Sequence, residues 1–313
     1  MSRYRSYLRL CVIVQVFNPL TEVLPNAVLI GVQKAGTTAL YNWISQHPEV
    51  FGDPAMKDFP FFCDASYFNK GSDWFTERFS NWNGEKIILH GYVHYLSFGE
   101  ETAPRLKAFN PDLKLLAVLR NPAERAYSAY LQARKTGHEP IMSFEEAIDN
   151  ELAGNLSSFK DTANRSYISH GYYSHSISTF WKHFDPDQLK VLLYDNLKND
   201  PVGSCIEVFE HLSIDKNFTA KITSLNRYGM PRSRWLQNLL KDGIKWSVAR
   251  ELVPLNTRIR LRQLALAINT KTGEKPVLET SIWQRLDDFY KSEIDRLENI
   301  IGRDLSSWRN YRP

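Results

Sequence analysis

The sequence predicts a three-layer α/β/α domain built on a central, mainly parallel sheet. Short runs rich in Val, Ile and Leu recur between helix-period segments, and two of those runs lead straight into a helix start instead of a hairpin turn. The chain has 313 residues, 43% hydrophobic and 24% charged, which is enough apolar mass to bury one substantial core. We expect an N-terminal segment over residues 1–25 and a single domain over 26–313.

In chain order, basic residues first precede an apolar run from Leu8 to Phe17. Arg9 and Gln15 interrupt that run, and it falls well short of the ~20 apolar residues that cross a bilayer. It reads as a packed or peripheral segment, with no membrane span. The first strand is Ala27 to Val32, followed by a helix from Thr37 to Gln46 that stops before Pro48. Strands follow at Lys86 to Tyr92 and Leu113 to Leu119, and Pro122 opens a helix that extends to about Lys135. Ser143 and Glu146 make a capping box for a helix ending at Leu152. The fourth strand is Leu189 to Tyr194. Ile282, Leu286, Phe289, Ile294, Leu297 and Ile301 then repeat at helical spacing, marking a long amphipathic helix that closes the core.

The formal charge of +4 is modest and its basic residues are scattered, so one pocket for an anionic small molecule fits better than a nucleic-acid footprint. Cys11, Cys63 and Cys205 lie far apart with no C-x-x-C pair. That spacing argues against a disulfide framework and a zinc cluster, and favours a reducing cytoplasm.

The anion chemistry begins at Gly31-Val32-Gln33-Lys34-Ala35-Gly36-Thr37-Thr38, a strand-to-helix loop spaced like a phosphate-binding P-loop. A nucleoside-triphosphate loop needs lysine where Thr37 stands, and here the only loop lysine is Lys34. The loop is P-loop-like but poorly equipped for ATP. Gly36 lets the backbone approach a ligand, Thr37 and Thr38 offer hydroxyls and helix-start amides, and Lys34 supplies mobile positive charge.

A second element ends a strand in Leu119-Arg120-Asn121-Pro122. Arg120 would project from the carboxyl end of the sheet, and Ser128, about two turns into the next helix, can present a hydroxyl to the same region. Together they make a phosphate clamp, whereas taken separately they read equally well as an ion-pair residue and a packing residue.

The stretch LIGVQKAGTTALYNWISQHPEV resembles the 5′-phosphosulfate loop of sulfotransferases that use 3′-phosphoadenosine 5′-phosphosulfate (PAPS), above all the heparan-sulfate type and its bacterial relatives. LRNPAERAYSAYLQARK resembles the same family's 3′-phosphate element, and weaker similarity continues over roughly residues 26 to 310. The resemblance implies that Lys34 binds the 5′-phosphate and assists departure of the nucleotide. It implies loop contacts from Ala35, Gly36, Thr37 and Thr38, and a 3′-phosphate held by Arg120 and Ser128. In the relatives a basic, glycine-containing turn also touches the nucleotide. The matching Lys271-Thr272-Gly273-Glu274-Lys275-Pro276 nominates Lys271 and Lys275, although the family's arginine is missing and Glu274 is unhelpful to an anion.

Sulfuryl transfer needs a base for the acceptor proton and positive charge for the leaving phosphate, and it requires no metal. Heparan-type relatives use a glutamate in a Lys-Glu-x-x-x-Phe-Phe pattern. Met56-Lys57-Asp58-Phe59-Pro60-Phe61-Phe62 puts Asp58 there, one methylene shorter. His94 and His90, beside the end of the second main strand, are the alternatives, since cytosolic sulfotransferases take a histidine base from that region and histidine titrates near neutral pH. His90 and Gly91 occupy the places of the family's Glu and Lys, which makes a small natural product as good an acceptor as a carbohydrate. The expected reaction is in-line transfer from PAPS to a hydroxyl or amine, leaving 3′,5′-adenosine bisphosphate. A P-loop-type kinase and a non-catalytic nucleotide-binding relative are the competing readings.

Overall fold

The computed structural model describes residues 24–222, 229–231, 270–272 and 276–309. The aliphatic runs become β1 (Ala27–Gly31), β2 (Val50–Phe51), β3 (Ile87–Gly91), β4 (Lys114–Leu119) and β5 (Leu189–Leu193). They form one sheet in the order β2-β3-β1-β4-β5, and every pairing is parallel. β1 and β3 are buried along their whole length, as strands covered on both faces must be. β2 is too short to carry a hydrophobic pattern and was not expected from the sequence.

The helices of the main body are α1 (Thr37–Ile44), α2 (Ala65–Phe68), α3 (Ser72–Thr76), α4 (Gly99–Phe109), α5 (Pro122–Thr136), α6 (Phe144–Leu152) and α7 (Phe159–Arg165). They continue with α8 (Tyr173–Trp181), α9 (Tyr194–Asn199), α10 (Pro201–Leu212) and α11 (Thr280–Ile301). α10 packs on α1, α9, β4 and β5, while α11 packs on α5 and α8, and α8 on α4. The helices thus flank the sheet, as the three-layer expectation required.

The start signals work as physical chemistry dictates. Asn121 caps α5 by accepting from the N–H groups of Ala123 (3.0 Å) and Glu124 (3.2 Å), with Pro122 in the first turn. The Ser143 hydroxyl accepts from the Glu146 N–H (3.3 Å), one half of the expected capping box. On α11 the apolar stripe is rotated from the predicted one. Ile282, Phe289 and Ile301 are only partly buried, and Trp283, Tyr290 and Glu293 take the inner face beside Leu286, Ile294 and Leu297. The reason is polar: Glu293 Oε1 and Oε2 accept from the N–H (2.6 Å) and hydroxyl (2.7 Å) of Ser174 in the first turn of α8.

A separate two-stranded ribbon pairs β6 (Gly229–Pro231) antiparallel to β7 (Thr270–Thr272), with Lys271 opposite Met230. Lys275 and the N-terminal segment up to residue 23, with Cys11, lie outside the described residues. Cys63 and Cys205 are buried free thiols. Among the described residues, no helix is long and apolar enough to cross a membrane.

Candidate active site

The strand order creates the site. From β1 the chain runs to the edge strand β2, steps back to β3 beside β1, then crosses to the other side of β1 to lay down β4 and β5. Open parallel sheets bind ligands at the carboxyl ends of the strands flanking such a reversal. The anion loop leaves β1 there, and Arg120 leaves the adjacent β4.

In the loop, Lys34 and Gly36 both take left-handed backbone, with φ of 70° and 84°. Gly36 needs its missing side chain. A Cβ there would come within 2.9 Å of Leu197 Cδ2 and 3.3 Å of Tyr194 Cδ2. The Ala35 N–H donates to Val32 O (3.2 Å) and its methyl is buried, so Ala35 shapes the turn. That leaves the helix-start amides of Gly36, Thr37 and Thr38 to face an anion, with Thr37 buried and Thr38 exposed.

Arg120 ties the two elements together. Its Nη1 donates to Lys34 O (3.2 Å), and its Nε and Nη2 donate to the Glu124 carboxylate, the Nε bond being 2.7 Å. The guanidinium also lies 4.5 Å from the centre of the Tyr194 ring. Tyr173 fixes the strand end by donating its hydroxyl to Arg120 O (3.0 Å). Ser128 is half-buried on α5. Gln132, one turn further along, accepts from Lys34 Nζ (3.5 Å).

Lys34 is electrostatically primed. Burial lowers its pKa to about 8, and the charges of Arg120 and Lys135 add to the effect. An ammonium so placed gains more than a solvated one when a polyanion arrives.

The predicted bases separate. Asp58 sits beside the end of β3, its N–H donating to Gly91 O (2.7 Å) and its backbone left-handed at φ 65°. Its carboxylate is half exposed and pairs with Lys57 Nζ at 2.5 Å, the Lys57 side chain being buried. β3 neighbours β1, so Asp58, Lys34 and Arg120 stand at the ends of three consecutive strands, β3, β1 and β4.

His90 is not in this site. It is fully buried, with Nδ1 bonded to Met56 O (3.0 Å) and Nε2 to the Tyr95 hydroxyl (2.9 Å), so neither nitrogen is left for an acceptor. Burial drops its pKa to about 3. His94 is also buried, packed among Tyr92, Phe98 and His170, and burial together with the Arg125 charge holds it at about 3. The aromatic residues that enclose His90 are Phe62 ahead of α2, Phe75 in α3 and Phe79 just after α3. A lone histidine in a sequence carries no sign of such distant packing.

Sequence reasoning passed over Lys57, Glu124, Gln132, Lys135 and Tyr194. The helical spacing of Gln132 and Lys135 after Ser128 was a readable signal. Tyr194 had none, because it arrives from β5, two strands away from β1.

Comparison with known proteins agrees with this architecture. The chain is 27% identical over 300 residues to the bifunctional heparan sulfate N-deacetylase/N-sulfotransferase 2 of Homo sapiens, covering 91% of this chain and 31% of that protein. It is 31% identical over 287 residues to the heparan sulfate glucosamine 3-O-sulfotransferase 3B1 of Mus musculus, covering 91% of this chain and 65% of the relative. The chain thus spans under two thirds of the length of either. In three dimensions it resembles the crystal structure of a sulfotransferase from Alicyclobacillus acidocaldarius, with a TM-score of 0.67 at 23% identity, covering 92% of this chain and 99% of that one. The sequence profile of the sulfotransferase domain matches residues 24–252, well over half of the chain. The chain therefore belongs to the sulfotransferase-domain family.

Proposed function

We propose that this protein transfers a sulfuryl group from PAPS to a hydroxyl or amine of a carbohydrate or small natural product. The observation that carries the reading is the excess of positive charge where β1 and β4 end. Lys34, Arg120 and Lys135 gather there against one carboxylate, Glu124. Partly buried groups with that imbalance favour a ligand of several negative charges, and a bisphosphorylated nucleotide sulfate supplies them along with the group to be transferred.

In this reading the N–H groups that Arg120 has not committed to Glu124 and Lys34, with the Ser128 hydroxyl, hold the 3′-phosphate. The amides of Gly36, Thr37 and Thr38 hold the 5′-phosphate, and Lys34 Nζ, released from Gln132, offsets charge growing on the departing oxygen. Asp58 takes the acceptor proton as the new bond to sulfur forms, and an arriving acceptor competes with Lys57 for its carboxylate. Thr37 in place of the nucleoside-triphosphate lysine disfavours the kinase alternative. Lys271 and Lys275 remain proposed nucleotide contacts, and residues 26–313 are proposed to act as one domain.

Incubation with ³⁵S-labelled PAPS and an extract or acceptor panel tests the reading directly. We expect a labelled product, a turnover loss of roughly 10²- to 10³-fold in Lys34→Ala and a raised Michaelis constant for PAPS in Arg120→Ala. Normal kinetics in both variants would sink the site, and magnesium-dependent ATP consumption without sulfation would favour the kinase.

A further inference from the structure

One half-buried stripe of α5 extends past the residues that the family resemblance nominates. Ser128, Gln132 and Lys135 stand at i, i+4 and i+7 on this helix, so they share one stripe, and all three are half-buried. Lys34 Nζ bonds to the middle member, Gln132, at 3.5 Å, which sets the loop lysine against this stripe. Lys135 is near enough for its charge to weigh on Lys34.

Half-burial without a counter-charge distinguishes Lys135 from an exposed surface lysine. Arg120 has Glu124 and Lys57 has Asp58, but among the described residues neither Lys34 nor Lys135 takes part in an ion pair. Partial burial also lowers the proton affinity of Lys135 itself. Like charges held together under partial burial are costly, and the cost falls when an anion joins them.

We propose that Lys135 is a third donor-binding cation, contacting the 5′-phosphosulfate end of the nucleotide beside Lys34. The assignment rests on the PAPS reading and adds a residue to it. Position along the helix picks the end of the ligand. Arg120 and Ser128 occupy the start and middle of the α5 region, Gln132 meets Lys34, and Lys135 lies about 4.5 Å further along the axis than Gln132. It therefore serves the Lys34 end of the donor, away from the 3′-phosphate clamp.

Calorimetry on the full chain with two probes, 3′,5′-adenosine bisphosphate and adenosine 3′-monophosphate, tests this without turnover. Lys135→Gln should weaken the bisphosphate by roughly 10- to 100-fold, the usual worth of a charge-assisted hydrogen bond, while leaving the 3′-monophosphate almost unchanged. Lys135→Arg should restore most of the affinity. Lys291→Gln, which removes an exposed charge on α11, should have no effect. An unchanged bisphosphate affinity in Lys135→Gln, an equal loss on both probes, or an equal loss in Lys291→Gln would each overturn the assignment. If Lys34→Ala and Arg120→Ala weaken the bisphosphate while Lys135→Gln does not, only the role of Lys135 fails. If the wild-type protein binds no bisphosphate, the donor reading fails and this inference falls with it.

Discussion

Lys34 shows how one side chain acquires chemistry from its surroundings. Burial, with the charges of Arg120 and Lys135, holds its ammonium at about 8, below the ordinary lysine value of 10.5. A bound polyanion acts in the opposite direction and favours the charged form. Between about 8 and the raised value of the complex, nucleotide binding must therefore take up a proton. Below that window Lys34 is already charged and no uptake occurs. Calorimetry of nucleotide binding at pH 7 and pH 9, in buffers of different ionisation enthalpy, should find uptake at the higher pH only, with affinity falling as pH rises through about 8. Uptake of equal size at both values would show that some other group titrates. The same residue-scale reasoning separates the carboxylate from the imidazoles: Asp58 is half exposed beside its lysine, whereas His90 has both nitrogens engaged in the core.

At the scale of elements, the site depends on how a strand turns into a helix. The β1–α1 loop presents its amides only because Gly36 accepts a φ of 84° and lies against Leu197 and Tyr194 without a Cβ. Gly36→Ala is strained both by the backbone angle and by the 2.9 Å approach to Leu197. We expect it to cost about 1–3 kcal/mol of stability and to weaken nucleotide binding more than tenfold, as read by chemical denaturation and calorimetry. An alanine variant with wild-type binding would mean that the loop does not approach the ligand. α5 contributes differently. Its Asn121 cap fixes the helix start next to Arg120, and the Asn121 side-chain amide also donates to Trp308 O (3.0 Å), linking the site to the end of the described chain.

For the whole molecule, α11 fastens the helical layer through a buried polar contact. Glu293 is almost completely buried and accepts both bonds from Ser174, while Tyr290 donates to the carbonyls of Tyr167 (3.1 Å) and Ile168 (2.9 Å). Glu293→Ala leaves the Ser174 N–H buried without a partner, and we expect a loss of about 2–4 kcal/mol in urea unfolding. Arg296→Ala removes a mostly exposed partner at 3.4 Å and should change stability by less than about 1 kcal/mol. Equal effects would mean that the buried Glu293–Ser174 contact contributes nothing special. Four strands, the α1 and α5 starts and the anion loop were legible in the sequence, because each is written in contiguous residues whose propensities and spacing act locally. The rotated face of α11, the enclosure of His90 and His94, the crossing of Arg120 to Lys34 O and the approach of Gln132 and Lys135 were decided only by tertiary structure. Burial and charge at those positions depend on side chains delivered by other strands and helices, and no local pattern records which of them will arrive.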